Sequence, residues 1–185
     1  MFRIAGFAKL MLADMPAQIN GGIMKVKEVM TANAKACTPT DSLAQAATVM
    51  WEGDCGIVPV VTDGGRVVGL VTDRDICMAA NFEKRNLANI AIEDIISKEV
   101  FSCRPDDDVH AALKTMRENK VRRLAVVAAD GTLEGLLSMN DVVLKAEEAK
   151  EKKLPELSLS DVVNTYKAIC EHRRPTQQAQ AATGV

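Results

Sequence analysis

An internal duplication is the feature that most constrains how this chain folds. Residues 29–76 align with residues 95–142 at a constant offset of 66 positions, without a gap, and 12 of the 48 aligned positions are identical. An ungapped duplication of this length predicts two copies of one supersecondary unit.

Each copy contains a strand that leads into a helix, with a hydroxyl and a carboxylate three residues apart. In the first copy Val67–Val71 is an apolar strand and is followed by Thr72 and Asp75, and in the second copy Ser138 and Asp141 take these places. One interpretation is a helix capping box in which Asp replaces Glu. The other is a ligand site, because a helix N-terminus suits an anion and the carboxylate can accept hydrogen bonds from ligand hydroxyls. The residues alone leave both interpretations open.

The pattern of strands and helices predicts an α/β fold with the order β-α-β-β-α in each copy. One copy has too few strands to cover its own sheet, so the two copies are expected to pack sheet to sheet with pseudo-twofold symmetry around a shared core. The last helix of the second copy is predicted to run from Asn140 to about Lys153.

The duplication also predicts how the chain is divided. We expect a poorly ordered N-terminal extension at 1–23, a first repeat at 24–80, a linker at 81–94 and a second repeat at 95–150. A C-terminal helix and a disordered tail are expected within 151–185.

The predicted C-terminal helix spans Asp161–Cys170 and has Ser160 as its N-cap. The apolar stripe along one face of this helix is made of Val162, Val163, Tyr166 and Ile169. The stripe is suited either to its own domain or to a second chain, and the sequence does not decide between them.

Composition excludes several classes of function. The net charge of −2 gives no reason to expect nucleic-acid binding, and the apolar part of 1–23 is too short for a membrane span. Five cysteines without a CxxC pair indicate reduced thiols and a cytoplasmic protein, and the aligned Cys37 and Cys103 are expected to share a packing role. No catalytic triad, Cys/His pair, metal-ligand spacing or P-loop is present in the sequence, so we expect no enzyme and no metal site.

The duplicated unit resembles the CBS domain. The whole chain resembles a stand-alone CBS pair, or Bateman module, of the small bacterial hypoxic-response type. The matching segments are Val29–Thr31, Thr38–Pro39, Ile57–Val61 and Gly69–Ile76 in the first copy, and Val121–Leu124, Asp130–Gly131 and Gly135–Asp141 in the second.

The resemblance implies a regulatory ligand and no required cofactor. That ligand is an adenine nucleotide (AMP, ADP or ATP) in one or both clefts between the repeats, with S-adenosylmethionine as a further candidate. The residues assigned to ligand contact are Thr38, Ile57, Val58, Thr72, Arg74, Asp75, Arg104, Arg122, Arg123, Ser138, Asn140 and Asp141.

Each assigned residue has an expected role. By the resemblance, Asp75 and Asp141 hold ribose beside the hydroxyls of Thr72 and Ser138, and the backbone at Thr38 and Arg104 lies against adenine. From the chemistry of an adenine face, the aliphatic walls are expected from Ile57, Val58, Val126 and Leu136.

The two copies differ where phosphate is expected. Arg122 and Arg123 stand where the first copy has Gly56 and Ile57, so the better phosphate site is predicted around Arg122, Arg123 and Asp141, with Asn140 beside it. The first copy's own basic residue is Arg74. We expect a homodimer that regulates an unknown protein, and the alternative is a structural dimerisation adaptor with empty sites.

Overall fold

The computed structural model describes residues 23–96, 99–148 and 155–171. Its strands are β1 (Thr31–Ala32), β2 (Ile57–Val61), β3 (Val67–Thr72), β4 (Ser102–Cys103), β5 (Arg123–Val127) and β6 (Leu133–Ser138). Its α-helices are α1 (Leu43–Glu52), α2 (Asp73–Phe82), α3 (Val109–Asn119), α4 (Met139–Lys145) and α5 (Leu159–Cys170), and 3₁₀ turns occupy Val26–Glu28, Leu87–Asn89 and Ile92–Asp94. Residues 1–22 of the extension predicted at 1–23, and residues 172–185 of the predicted C-terminal segment, lie outside the described residues.

The structure repeats itself at the offset found in the sequence. Strands β2 and β5, strands β3 and β6, and helices α1 and α3 each begin 66 positions apart. Strands β2 and β3 form an antiparallel hairpin, and the second sheet has the order β1-β6-β5-β4. A single parallel bridge between Cys37 and Val60 corresponds to the pairing of Cys103 with Val126 in the second copy. The predicted α/β repeat is confirmed.

Each copy begins with a short turn that packs on the other copy. The Val26 N–H donates to the Asp107 carbonyl at 3.0 Å, and the equivalent Ile92 N–H donates to the Asp41 carbonyl at 2.9 Å. Both Val26 and Ile92 are completely buried, each in the core of the opposite repeat. The segment that joins the repeats therefore supplies core residues, and neither repeat is complete without the other.

The strands bury both of their faces. Leu124 and Leu137 belong to the core between the second sheet and its helices, as Val60 does in the first repeat. Ala125 points to the opposite face, because side chains alternate along a strand, yet it is also fully buried. That face is covered by the other repeat, and the hairpin tips meet where the Val67 N–H donates to the Gly131 carbonyl at 3.1 Å. The predicted sheet-to-sheet packing is confirmed.

The two aligned cysteines are core residues in opposite repeats. Cys37 is 4% exposed and Cys103 is 8% exposed. Burial raises the pKa of the Cys37 thiol, with a smaller contribution from the charge of Asp41. Burial, and then the charge of Asp107, raise the pKa of Cys103 to about 12. Both side chains are therefore neutral packing groups at physiological pH.

Helix α4 is shorter than the sequence predicts, so the expectation of a continuous helix to about Lys153 is wrong at residues 146–148. Ala146 is extended, with ψ 141°, and ends the helix. The Glu147 backbone then pairs with the start of the C-terminal segment, donating to Leu157 at 3.0 Å and accepting from Leu159 at 3.1 Å. Burial of Leu157 in the second-repeat core overrides the helical propensity of this stretch. Residues 149–154 lie outside the described residues.

Helix α5 begins at Leu159 and is capped by Ser158, so the prediction of Ser160 as the cap is wrong. Asp161 lies three residues after Ser158, and the two side chains form a reciprocal capping box. The residue three positions after Ser160 is Val163, whose side chain cannot complete such a box. Val162 and Ile169 are buried against the second repeat and Tyr166 packs beside them, so this part of the stripe lies on its own domain. Val163 is 62% exposed and does not share that packing. The homodimer stays a prediction. Within the described residues, no helix has the length and apolar character needed to cross a membrane.

This docking makes α5 part of the second-repeat core. Replacing Ile169, which is 8% exposed, with Val should lower the free energy of unfolding by about 0.5–1.5 kcal/mol. Val163 on the same helix is 62% exposed, so its replacement with Ala should change that free energy by less than about 0.5 kcal/mol. Urea denaturation measures both, and equal effects would show that α5 is not packed in this way.

Candidate functional site

Among the described residues, three α-helices begin with a capping box made of a hydroxyl and an aspartate. The side chains of Thr72, Ser138 and Ser158 cap the helices whose third residues are Asp75, Asp141 and Asp161. In the second repeat the Ser138 N–H donates to Oδ2 of Asp141 at 2.8 Å and the Ser138 hydroxyl donates to the same atom at 2.5 Å. The capping interpretation is therefore correct for all three, and a capping box alone does not identify a ligand site.

Asp141 differs from the other two capping carboxylates in what its second oxygen contacts. The Thr31 hydroxyl donates to Oδ1 of Asp141 at 3.1 Å. Oδ2 is held by the cap, so Oδ1 points out of the helix toward the first repeat. The carboxylate of Asp141 therefore lies where the two repeats meet, with one oxygen fixed and one facing a hydroxyl.

Strand β1 brings Thr31 to this position. Thr31 pairs with Leu136 and Ala32 pairs with Gly135, so a piece of the first repeat forms the edge of the second sheet. A Cβ at Gly135 would overlap the Thr31 carbonyl oxygen, and it would lie 3.2 Å from the Ala32 Cα. Glycine at this position lets β1 approach β6 closely enough for the Thr31 hydroxyl to reach Asp141.

Thr31 contacts Asp141, but sequence reasoning did not assign Thr31 to the candidate site. The duplication aligns Thr31 with Ser97, and two hydroxyls at one aligned position were the available signal. Ser97 lies outside the described residues. In the first repeat, Oδ2 of Asp75 accepts from the Thr72 N–H at 2.9 Å and from the Thr72 hydroxyl at 2.7 Å, and among the described residues its Oδ1 has no hydrogen-bond partner.

The two residues expected against adenine do not lie beside the carboxylate of their own repeat. The N–H of Thr38 donates to Asp41, and the N–H of Arg104 donates to Asp107, each at 2.7 Å. In the second sheet, Cys103 pairs with Val126, while Ser138 pairs with Arg123 at the other end of β5. The structure therefore separates Arg104 from Asp141 by most of the length of a strand.

The aliphatic walls divide between the two faces of the sheets. Val58 and Val126 are completely buried among the helices, so their side chains belong to the helix-side cores and not to a cleft. Ile57 is buried outside both of those cores, on the face that meets the other repeat, and Leu136 is half-buried. The structure places Ile57 and Leu136, and not Val58, on the side where the repeats meet.

The basic residues lie near the same junction. Arg122 is exposed and its carbonyl accepts from the Met139 N–H at 3.0 Å. Arg123 is half-buried and reaches the first repeat, where its Nη2 is 3.6 Å from the position a Cβ would take on Gly56. Arg74 and Asn140 are exposed at the second positions of α2 and α4. Within the described part of the chain, Arg74, Arg122 and Arg123 form no ion pair with a carboxylate.

No metal site accompanies these groups in the described ranges. Among residues 23–96, 99–148 and 155–171, no three His, Cys, Asp or Glu side chains are grouped to hold a metal ion. His110 is in contact with Asp108 at 3.3 Å and with Asp161 at 3.5 Å, at the start of helices α3 and α5. Its position is a junction between two helices.

Several known proteins are similar to this chain in sequence or in fold. The uncharacterized protein YlbB of Bacillus subtilis is 32% identical over 135 residues, which cover 72% of this chain and 89% of that protein. CBSX2, solved in complex with AMP, is 28% identical with a TM-score of 0.57, covering 65% of this chain and 93% of that one. Hypoxic Response Protein I, solved with two coordinated zinc ions, is 22% identical with a TM-score of 0.61 and covers 67% of this chain and 100% of that one.

The family assignment rests on both repeats. The CBS domain family pattern matches residues 26–81 and 92–148, which together make up more than half of the chain. These ranges contain both strand-to-helix capping boxes at the repeat junction, Thr72 with Asp75 and Ser138 with Asp141. The protein therefore belongs to the CBS domain family and carries two CBS domains as an interlocked pair.

Proposed function

We propose that this protein is a non-catalytic regulatory module that binds an adenine nucleotide at the junction of its two repeats and relays its occupancy to another protein. AMP, ADP and ATP form the ligand class that we propose, and S-adenosylmethionine is the alternative adenosine ligand. The observation that carries the proposal is the hydrogen bond from the Thr31 hydroxyl to Oδ1 of Asp141.

That hydrogen bond identifies the chemistry that Asp141 can recognise. A ribose presents two neighbouring hydroxyls, and a carboxylate oxygen with a fixed orientation accepts from such donors. The capping box fixes Asp141 through Oδ2, so Oδ1 needs no rearrangement to accept a hydroxyl from a ligand. The AMP complex of CBSX2, which is 28% identical to this chain, supports the choice of an adenine nucleotide.

The regulatory role follows from where this carboxylate lies. Asp141 belongs to the second repeat and Thr31 to the strand that the first repeat contributes. A ligand bound to Asp141 would contact both repeats and would change the free-energy difference between their relative positions. We propose that this change is what a partner protein detects.

The non-catalytic character is part of the proposal. Cys37 and Cys103 are buried, with the pKa of each thiol raised, so neither is a thiolate nucleophile. His110 contacts Asp108 and Asp161 at the second-repeat helices. The residues at the repeat junction are suited to binding a ligand.

A structural adaptor with empty sites is the second candidate, and one observation favours it. The Thr31 hydroxyl already gives Oδ1 of Asp141 one hydrogen-bond partner, so both oxygens of the carboxylate are held by protein groups even without a ligand. A thermal shift assay separates the two functions: AMP should raise the melting temperature of a binding module and leave that of an empty adaptor unchanged.

Light scattering tests the predicted homodimer, and a mass of one chain at micromolar concentration would contradict it.

A further prediction concerns phosphate. AMP should bind more tightly than adenosine, because Arg122 and Arg123 form no ion pair within the described residues and a guanidinium pairs well with phosphate. The preference should shrink as salt is added, since exposed charges are screened. Replacing both arginines with Gln should reduce the preference by about tenfold, the factor that corresponds to 1.4 kcal/mol, while adenosine binding is retained. Calorimetry measures all four affinities.

Arg74→Gln is the matched control for this prediction, because Arg74 is the first repeat's exposed arginine beside Asp75. It should leave the AMP preference of the Asp141 site unchanged. Equal affinities for adenosine and AMP in the unmodified protein would show that Arg122 and Arg123 do not recognise phosphate. A nucleoside or S-adenosylmethionine would then be the favoured ligand.

A further inference from the structure

A groove of about 440 Å³ lies on the outer face of the first repeat. The end of α1, the loop that follows it and the start of α2 form its walls, and we call it the first-repeat groove. Its apolar lining includes Ala47, Met50 and Ile76, and Asp54 and Asp73 add carboxylates. The indole of Trp51, which also lines it, is 88% exposed.

The duplication shows what occupies the equivalent surface in the second repeat. At the offset of 66, Ala47, Met50 and Ile76 correspond to Leu113, Met116 and Val142. These three residues lie in one buried cluster with Val162 and Ile169 of α5. An amphipathic helix therefore covers this surface on the second repeat. On the first repeat the 3₁₀ turn Leu87–Asn89 packs on α1 and α2, and the groove remains beside it, with Met50 and Ile76 buried at its floor.

Among the described residues, three side chains of α3 and its C-cap make polar contacts with the α5 segment, and all three are basic. His110 Nε2 is 3.5 Å from the Asp161 carboxylate, Arg117 donates to the Thr165 hydroxyl at 3.0 Å, and Lys120 donates to the Glu171 carbonyl at 2.8 Å. The surface beneath α5 is thus basic, and α5 presents acceptors to it.

The first-repeat groove has the opposite polarity. Ala44, Trp51 and Asp54 replace His110, Arg117 and Lys120, and Asp73 replaces Met139. Among the described residues, Asp54 and Asp73 form no ion pair, and the nearby cation is Arg123, which borders the groove at Gly56. A copy of α5 placed here in the same direction would bring its C-terminal carbonyls against the Asp54 carboxylate, which is unfavourable.

We propose that the first-repeat groove is a docking site for a basic amphipathic helix of a partner protein. The apolar stripe of that helix fills the space between α1 and α2, as the stripe of α5 does on the second repeat. Its basic residues face Asp54 and the indole of Trp51, because a cation is attracted both to a carboxylate and to an aromatic face. This proposal goes beyond nucleotide binding, and the residues that it assigns to helix contact, Trp51 and Asp54, are not among those assigned to the nucleotide.

Trp51 supplies a direct readout, because it is the chain's one tryptophan. The probes are two synthetic peptides of residues 157–171, both carrying Cys170→Ser. The basic peptide has Thr165→Lys and Glu171→Lys, at the positions that face the equivalents of Trp51 and Asp54. The acidic peptide has Glu at residue 165 and keeps Glu171. Titration into the full-length protein follows the emission of Trp51.

The basic peptide should shift the Trp51 emission to shorter wavelength in a saturable way, and it should bind about tenfold more tightly than the acidic peptide at low salt. Asp54→Lys should reverse this order, because the groove then matches the charge of the second repeat. Glu118→Lys makes the same change of charge on the exposed surface of α3 and should leave the order unchanged.

Equal binding of the two peptides, or no shift with either, would overturn the proposal. So would a concentration-dependent shift of Trp51 in the protein alone that light scattering assigns to a dimer, because the groove would then be occupied by a second copy. AMP binding is measured in the same samples. Loss of peptide binding with intact AMP binding contradicts this inference alone, and the reverse result contradicts the nucleotide site alone.

Discussion

Replacing Asp141 with Ala should weaken AMP binding by about 1.5–3 kcal/mol, the usual contribution of a hydrogen bond to a charged group. The substitution removes the oxygen that faces the Thr31 hydroxyl and, in our account, the ribose. It also removes the Asp141 half of the capping box of α4, so the free energy of unfolding should fall by about 1 kcal/mol. Calorimetry and urea denaturation measure the two effects separately.

Asp161→Ala is the matched control, because Asp161 makes the same capping box with Ser158 on α5. Burial opposes ionisation of Asp161, but hydrogen bonds from Ser158 and the nearby His110 hold the pKa of this carboxyl below its usual value. Its loss should cost similar stability and leave AMP affinity unchanged. If both variants lose the same stability and both keep AMP affinity, Asp141 is a helix cap and has no role in binding.

Gly135→Ala should disturb the fold and the site together. The added Cβ would overlap the Thr31 carbonyl, so β1 must move away from β6. Overpacking of this kind lowers the free energy of unfolding by about 1–3 kcal/mol. The movement also carries the Thr31 hydroxyl away from Asp141, so AMP affinity should fall even though no side chain in the site has been changed.

Gly64→Ala provides the comparison, since a Cβ there meets only the Thr62 hydroxyl at 3.9 Å. It should change the free energy of unfolding by less than about 0.5 kcal/mol and leave AMP affinity unchanged. Equal stability of the Gly135→Ala and Gly64→Ala variants would show that β1 does not pack against β6 as described.

The duplication made most of the fold predictable, because each helix or strand boundary in one copy can be compared with the aligned boundary in the other. Turn residues such as Asp130 and Gly131, and caps such as Ser42, act through the nearest few residues, so the sequence reveals them directly. The exchange of Val26 and Ile92 between repeats was not predictable in this way, because it depends on which surfaces meet after each repeat has folded.

The same distinction explains the end of α4. The stretch after Lys145 has strong helical propensity, but the chain leaves the helix so that Leu157 and Ile169 become buried. For α5, the three-residue spacing from Ser158 to Asp161 indicates the correct cap, and the prediction of Ser160 did not take it into account. Long-range burial decided the first boundary, and local capping chemistry decided the second.

For the candidate site, the sequence identified the groups better than their surroundings. Asp141 and Ser138 were found because a hydroxyl and an aspartate recur in register. The direction in which Val58 points depends on which face of its strand meets the helices, which residue type alone does not determine. Thr31 was missed because it is 110 residues from Asp141 in sequence.

The central claim is that an adenine nucleotide binds against Asp141, and native mass spectrometry of the full chain with added AMP tests it most directly. We predict a mass increase of one AMP or more per chain for the unmodified protein and for Asp161→Ala, and a marked loss of that increase for Asp141→Ala. A bare chain in the unmodified protein, or equal AMP retention in the Asp141→Ala variant, would contradict the account.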